Sequence, residues 1–135
     1  MLKAFFQKLK KSNTQTEIFG NRQKGNYGEE LALKYLKKKG YKLLAKNYRV
    51  LRCEIDIIML YKDIVVFIEV KARKKGEKYG LPKEAVTKQK QNNIKKAASV
   101  FMLDKRFKDF YGRFDVVEVF IIDGKCEINH IEGAM

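Results

Sequence analysis

The sequence predicts a single α/β domain, a mixed β-sheet flanked by helices in the element order α-β-β-β-α-β-β. Three observations carry this. The run Ile64-Val65-Val66-Phe67-Ile68 is apolar at every position, which marks a central strand covered on both faces. Apolar residues recur with helical spacing in two other stretches, one before the strand candidates and one among them. A chain of 135 residues also fits one domain within the usual range of about 50 to 250 residues.

Residues 1–22 form a basic N-terminal extension ahead of a domain over 23–135. Leu2, Phe5, Phe6 and Leu9 have helical spacing, but the turn-prone Ser12-Asn13-Thr14-Gln15-Thr16 breaks it, so a short amphipathic or partly disordered tail is expected. A helix follows from about Tyr27 to Lys39, with Tyr27, Leu31, Ala32, Tyr35 and Leu36 on its apolar face and Gly40 as its C-terminal cap. Strands are expected over Tyr41 to Val50, Glu54 to Tyr61 and Ile64 to Lys71, as an antiparallel meander turning at Lys62-Asp63. Ala72 to Leu81 is basic and carries Gly76 and Gly80, which reads as an exposed loop ending at Pro82. A long helix is expected from about Lys83 to Leu103, then strands over Arg113 to Ile122 and Lys125 to Ile131 joined by the hairpin signal Asp123-Gly124.

The charge balance points to a polyanionic partner: 30 Lys and Arg against 16 Asp and Glu give a formal net charge of +14. Lys71 to Arg113 alone holds fourteen Lys or Arg against four Asp or Glu. No run reaches the ~18 apolar residues of a membrane span and no signal-peptide core is present, so a cytoplasmic protein without stable membrane insertion is expected. Cys53 and Cys126 make no paired motif, which argues against a thiolate zinc site; Cys53 reads as a small buried residue at a strand start, and His130 as incidental. Hydrolysis here has to rest on carboxylates, lysines and a hard cation.

The chemistry gathers around Glu54-Ile55-Asp56-Ile57-Ile58 and Phe67-Ile68-Glu69-Val70-Lys71. Glu69 and Lys71 leave the same face of their strand, so an acid and a base are aimed together. On a helical wheel of about 100° per residue, Glu29 borders the apolar face and can join Asp56, Glu69 and Lys71, whereas Glu30 is a solvated neighbour of Lys34 and Lys37. Asp56 and Glu69, with the Val70 carbonyl, could hold magnesium, or manganese in its place, and Lys71 could orient or deprotonate water. In the later helix, Thr87, Lys90, Gln91, Ile94, Ala97, Ala98 and Phe101 form one stripe, polar at its start and apolar at its end, which suits either Lys90 reaching a bound phosphate or a lysine snorkelling at the rim. Arg73, Lys74, Lys75 and Lys78 are placed to clamp a nucleic-acid backbone.

The ordered segments Gly25-Asn26-Tyr27-Gly28-Glu29-Glu30-Leu31-Ala32, Glu54-Ile55-Asp56-Ile57-Ile58, Phe67-Ile68-Glu69-Val70-Lys71-Ala72-Arg73, Glu84-Ala85-Val86-Thr87 with Lys90, and Arg113-Phe114-Asp115-Val116-Val117 resemble the YraN family. That family is similar to the PD-(D/E)xK, or restriction endonuclease-like, nucleases and to Holliday junction resolvases. The resemblance implies a restriction endonuclease-like fold, with Asp56, Glu69 and Lys71 at the catalytic signature, Glu29 at the helical acid and Lys90 at the lysine after the Val-Thr pair. Cys53 stands where the family usually has Gly, and no Pro precedes Asp56. Two function classes stay open. One is a magnesium-dependent endonuclease acting on DNA in preference to RNA, which stays open, with branched or single-stranded forms included; the other is a non-catalytic nucleic-acid-binding module on the same fold. The oligomeric state is open too, a homodimer included.

Overall fold

The computed structural model describes residues 23–73 and 87–135, with side chains from Tyr27 onward. Its element order is α1 (Gln23–Lys38), β1 (Lys42–Val50), β2 (Cys53–Tyr61), β3 (Ile64–Arg73), α2 (Lys88–Phe101), a 3-10 turn (Lys105–Phe107), β4 (Tyr111–Ile122) and β5 (Lys125–Ile131). The expected single-domain α/β arrangement of the restriction endonuclease-like type is present, with one helix on each face of a five-stranded mixed sheet. The N-terminal extension, Lys74, Lys75 and Lys78 of the clamp, and the stretch Lys83 to Val86 expected to open the second helix lie outside the described residues.

α1 packs Ala32, Leu33 and Leu36 against Ile57, Met59, Val66 and Ile68. The buried stripe is rotated from the expected one: Leu33 is inside it, and Tyr27 is 56% exposed. Glu29, at the border of that face, is half-buried. The helix ends where Gly40 takes a φ of +95°, with its N–H bonded to Lys37 O and that of Tyr41 to Leu36 O, both at 3.0 Å. This paired closure requires a left-handed residue, which glycine supplies without strain.

The sheet order is β1-β2-β3-β4-β5, antiparallel except for β3 and β4, which run parallel and are joined through α2. β3 is buried on both faces. Val65 and Phe67 pack toward Ile94, Ala97 and Ala98 of α2, while Val66 and Ile68 pack toward α1. Each such side chain contributes roughly 1.5–3 kcal/mol on burial. α2 starts later than the pattern of apolar residues indicates, because Thr87 caps it by accepting the Lys90 N–H at 3.1 Å.

One irregularity positions everything that follows. β2 and β3 pair from Tyr61 with Ile64 up to Ile57 with Ile68, and there the pairing stops. β2 continues to Cys53 bonded to β1 alone, whereas β3 continues to Arg73 bonded to β4. The sheet therefore forks, with Asp56 on one prong and Glu69-Val70-Lys71 on the other.

Candidate active site

Where the ladder ends, the Val70 N–H has no β2 carbonyl to meet, and the Asp56 carboxylate fills that role, accepting it at 2.9 Å. Asp56 thereby closes the fork and is drawn against Glu69. Glu69 is 4% exposed, and its Oε1 accepts from Lys90 Nζ while Lys71 Nζ stands 3.9 Å away. The two carboxyl groups stand close enough to interact directly. Burial first, and the Glu69 charge second, push the Asp56 carboxyl up to about 8 against the pull of the Val70 N–H.

The lysines respond in opposite directions. Burial, reinforced by the neighbouring Lys90 ammonium, lowers Lys71 below the usual lysine range, with Glu69 opposing. Lys90 is also disfavoured by burial, but the hydrogen bond and charge of Glu69 outweigh this and raise it. Lys71 is thus the amine closer to neutrality, and Lys90 the fixed cation.

Glu29 enters from α1. Burial raises its carboxyl, Lys46 opposes this, and the Glu54 and Glu69 charges add to it. Its Oε2 is buried with no hydrogen-bond partner among the described residues. An unsatisfied buried carboxylate oxygen beside two other acids is costly for the protein alone. Glu30 does not pair along its helix as expected; it bonds Lys46 of β1, which is 13% exposed.

Asn47 escaped the reading from sequence. It holds a φ of +50° on β1, and its side chain lies by the Glu29 carboxyl, where it favours the charged form. It stands between the pairs Lys46 with Ile57 and Tyr48 with Ile55, and so opposite Asp56. Its signal was an asparagine inside a strand pattern, a residue depleted in strands and tolerant of left-handed backbone.

The structure brings together Glu29, Asp56, Glu69, Val70, Lys71 and Lys90, with Thr87 fixing the helix start that presents Lys90. Gln91 is half-buried in the same first turn, its N–H bonded to Thr87 O at 2.9 Å. Arg73 is turned elsewhere: its guanidinium is 8% exposed and grips the fully buried Glu118, with Nε and Nη2 each 2.8 Å from Oε2. Asn129 Nδ2 donates to the other Glu118 oxygen at 2.8 Å. Glu118 is the cross-strand partner of Lys71, so its saturation by Arg73 and Asn129 leaves Lys71 directed to Glu69. Cys53 is buried at the start of β2, as expected. His130 is more than incidental, its Nε2 lying 2.7 Å from the buried Asp115 Oδ2.

No three His, Cys, Asp or Glu side chains among the described residues form a metal cage of their own. The donors on offer are two adjoining carboxylates, an unpartnered glutamate oxygen and backbone carbonyl, all hard oxygen ligands. That set suits magnesium, which keeps several waters and commonly takes one or two carboxylates.

Similarity to known proteins covers the same residues. The model of the uncharacterised protein family UPF0102 matches residues 28–119. A UPF0102 protein of Alkaliphilus oremlandii is 46% identical over 116 residues, spanning 84% of this chain and 98% of the relative. One from Caldanaerobacter subterraneus subsp. tengcongensis is 45% identical over 113 residues, 82% of this chain and 92% of its own length. The matched span runs from within α1, just before Glu29, to within β4, just past Glu118, and the chain belongs to the uncharacterised protein family UPF0102, the YraN family its motifs resemble.

Proposed function

We propose that this protein is a metal-dependent endonuclease that hydrolyses phosphodiester bonds of DNA, with structured or branched DNA among its substrates. The observation that carries this is the fork, which presents Asp56 and Glu69 together and sets an amine of lowered basicity, Lys71, beside them. When bound by Asp56, Glu69 and the Val70 carbonyl, magnesium or manganese supplies Lewis-acid stabilisation of the phosphate charge. Lys71, once neutral, accepts a proton from the attacking water, and as ammonium it offsets negative charge building on the phosphate. Lys90 pairs with Glu69 in the absence of substrate and is released to a phosphate oxygen when that carboxylate is otherwise neutralised. Glu29, beside Asn47, contributes a buried carboxylate oxygen that no described residue bonds. Arg73 is engaged with Glu118 and is omitted from the phosphate contacts.

One observation favours the second reading, a non-catalytic nucleic-acid-binding module: the two lysines already compensate Glu69 without a metal ion. Labelled duplex, single-stranded, flap and four-way-junction DNAs and RNA, incubated with magnesium or manganese, separate the two. Scission by the native protein that falls at least ~100-fold in both Lys71→Ala and Asp56→Ala is expected. Binding without scission of every substrate with either metal overturns the nuclease reading in favour of the module.

A further inference from the structure

The turn joining β1 to β2 is built from the wrong residues for its geometry. Val50 pairs with Cys53, leaving Leu51 and Arg52 as a two-residue loop with φ of +53° and +61°. Two consecutive left-handed residues define the turn type in which Asn-Gly or Asp-Gly is strongly favoured. The same chain supplies the comparison: its β4–β5 turn has φ of +50° and +75° and is made of Asp123-Gly124. At the β1–β2 tip a γ-branched and a long cationic side chain hold the backbone that Asp-Gly holds elsewhere. Strain retained at two adjacent positions is a pointer to use rather than to folding.

The side chains indicate the use. Leu51 is 68% exposed, whereas the residues just behind it, Tyr48, Val50, Cys53 and Ile55, pack into the core on the α2 side. The Cys53 thiol donates to Leu51 O at 3.4 Å, which pins the turn to that core. An apolar side chain is thus projected into solvent from a firmly seated base. Arg52 is exposed beside it, and Arg49, also exposed, lies 3.6 Å from Glu54. Because β2 leaves β3 at Asp56, the hairpin beyond that point is a two-stranded finger that begins at the candidate site. Four residues of strand place the tip on the order of 13 Å from Asp56, about the length of four stacked nucleotides.

We propose that this finger is a wedge: Leu51 inserts at a base step of the DNA held at the fork, and Arg49 and Arg52 contact the flanking phosphates. This rests on the nucleic-acid reading above. Leucine is among the residues that pry open base steps, and arginines beside it match the polyanion. The finger then selects DNA whose bases unstack easily a few nucleotides from the bond attacked, which links it to branched or mismatched structures.

The test uses the full chain and DNA duplexes carrying 2-aminopurine at successive positions, with EDTA present so that strands stay whole. Native protein is expected to raise the fluorescence at one step, and Leu51→Asn to abolish the rise. Leu51→Asn with Arg52→Gly is expected also to weaken binding by about tenfold while unfolding at higher urea, since those residues suit the turn. Loss of binding in a variant more stable than the parent cannot come from misfolding. Full affinity and an undiminished rise in that variant, or native binding with no rise at any position, overturns the wedge alone. Failure of the native protein to bind any DNA overturns the wedge together with the reading beneath it.

Discussion

Three carboxylates on the two central strands are withdrawn from water, and their partners separate structure from chemistry. Glu118 is saturated by Arg73 and Asn129. Asp115 accepts from Arg113 at 2.9 and 2.8 Å and from the Gly133 N–H at 3.0 Å, and meets His130 Nε2 at 2.7 Å. The Lys39 ammonium, a donor only, is 3.3 Å from His130 Nδ1 on the other side of the ring. Glu69, by contrast, stands against the Asp56 carboxyl and draws on two lysines. Burial acts to raise Asp115, but the hydrogen bonds from His130, Arg113 and Gly133 outweigh it and hold its carboxyl below the ordinary range. A carboxylate depressed in the folded state adds stability that is complete above its unfolded value, near 3.9, and is lost as pH falls through the folded value. Native protein should therefore lose urea resistance steeply below about pH 4, and Asp115→Asn, less stable at neutral pH, should lose less on the same descent. Parallel curves for the two proteins would contradict this. Glu29, Asp56, Glu69, Lys71 and Lys90 were legible in the sequence because period-two and helical spacing fix which way each points. Glu118 was not legible, because Arg73 lies 45 residues away and only the strand pairing joins them. His130 was misjudged for the same reason, since its partner Asp115 is supplied by the neighbouring strand.

At the scale of elements, the fork between β2 and β3 does what a longer ladder could not. Continued pairing would place β2 backbone against Val70 and leave no room for a carboxylate; stopping at Ile57 lets Asp56 bond that amide and face Glu69. The Val70 amide is thus held by a side chain, while the Ile68 region beside it is held by strand pairing. Hydrogen exchange distinguishes them: Asp56→Ala should remove protection at Val70 by about tenfold or more and leave the centre of β3 unchanged. Unaltered exchange at Val70 would show the amide bonded otherwise. The strands themselves, the meander and the Asp123-Gly124 hairpin were legible, since alternation and turn chemistry are local. The fork was not, because Cys53 to Tyr61 reads as one continuous strand and is one, paired with β1 at both ends of its length. The tip Leu51-Arg52 was hidden for the opposite reason: its residues contradict the backbone they adopt. The rotation of α1 that brings Leu33 inward and exposes Tyr27 depends on tertiary packing, which overrides a tyrosine's local preference.

For the molecule as a whole, a formal charge of +14 is a statement about long-range attraction, and the structure shows which cations lie outside that pool. Arg73 and Arg113 are bonded to fully buried acids and bear on the fold. Lys90 is different, being 43% exposed and paired with an acid of the candidate site, so it can exchange that partner for phosphate. The salt dependence of binding reads this difference, because each phosphate neutralised releases condensed counterions and steepens the fall of affinity with salt. In a Lys71→Ala background with magnesium, where strands are expected to stay whole, Lys90→Met should reduce the slope of log K against log salt by about 1. Replacing Arg73 with Met together with Glu118 with Leu, which removes a buried ion pair as a unit, should leave that slope unchanged. Equal slopes in all three proteins would mean that Lys90 stays on Glu69 in the complex, and that the basic surface attracts DNA without a lysine of the site joining it.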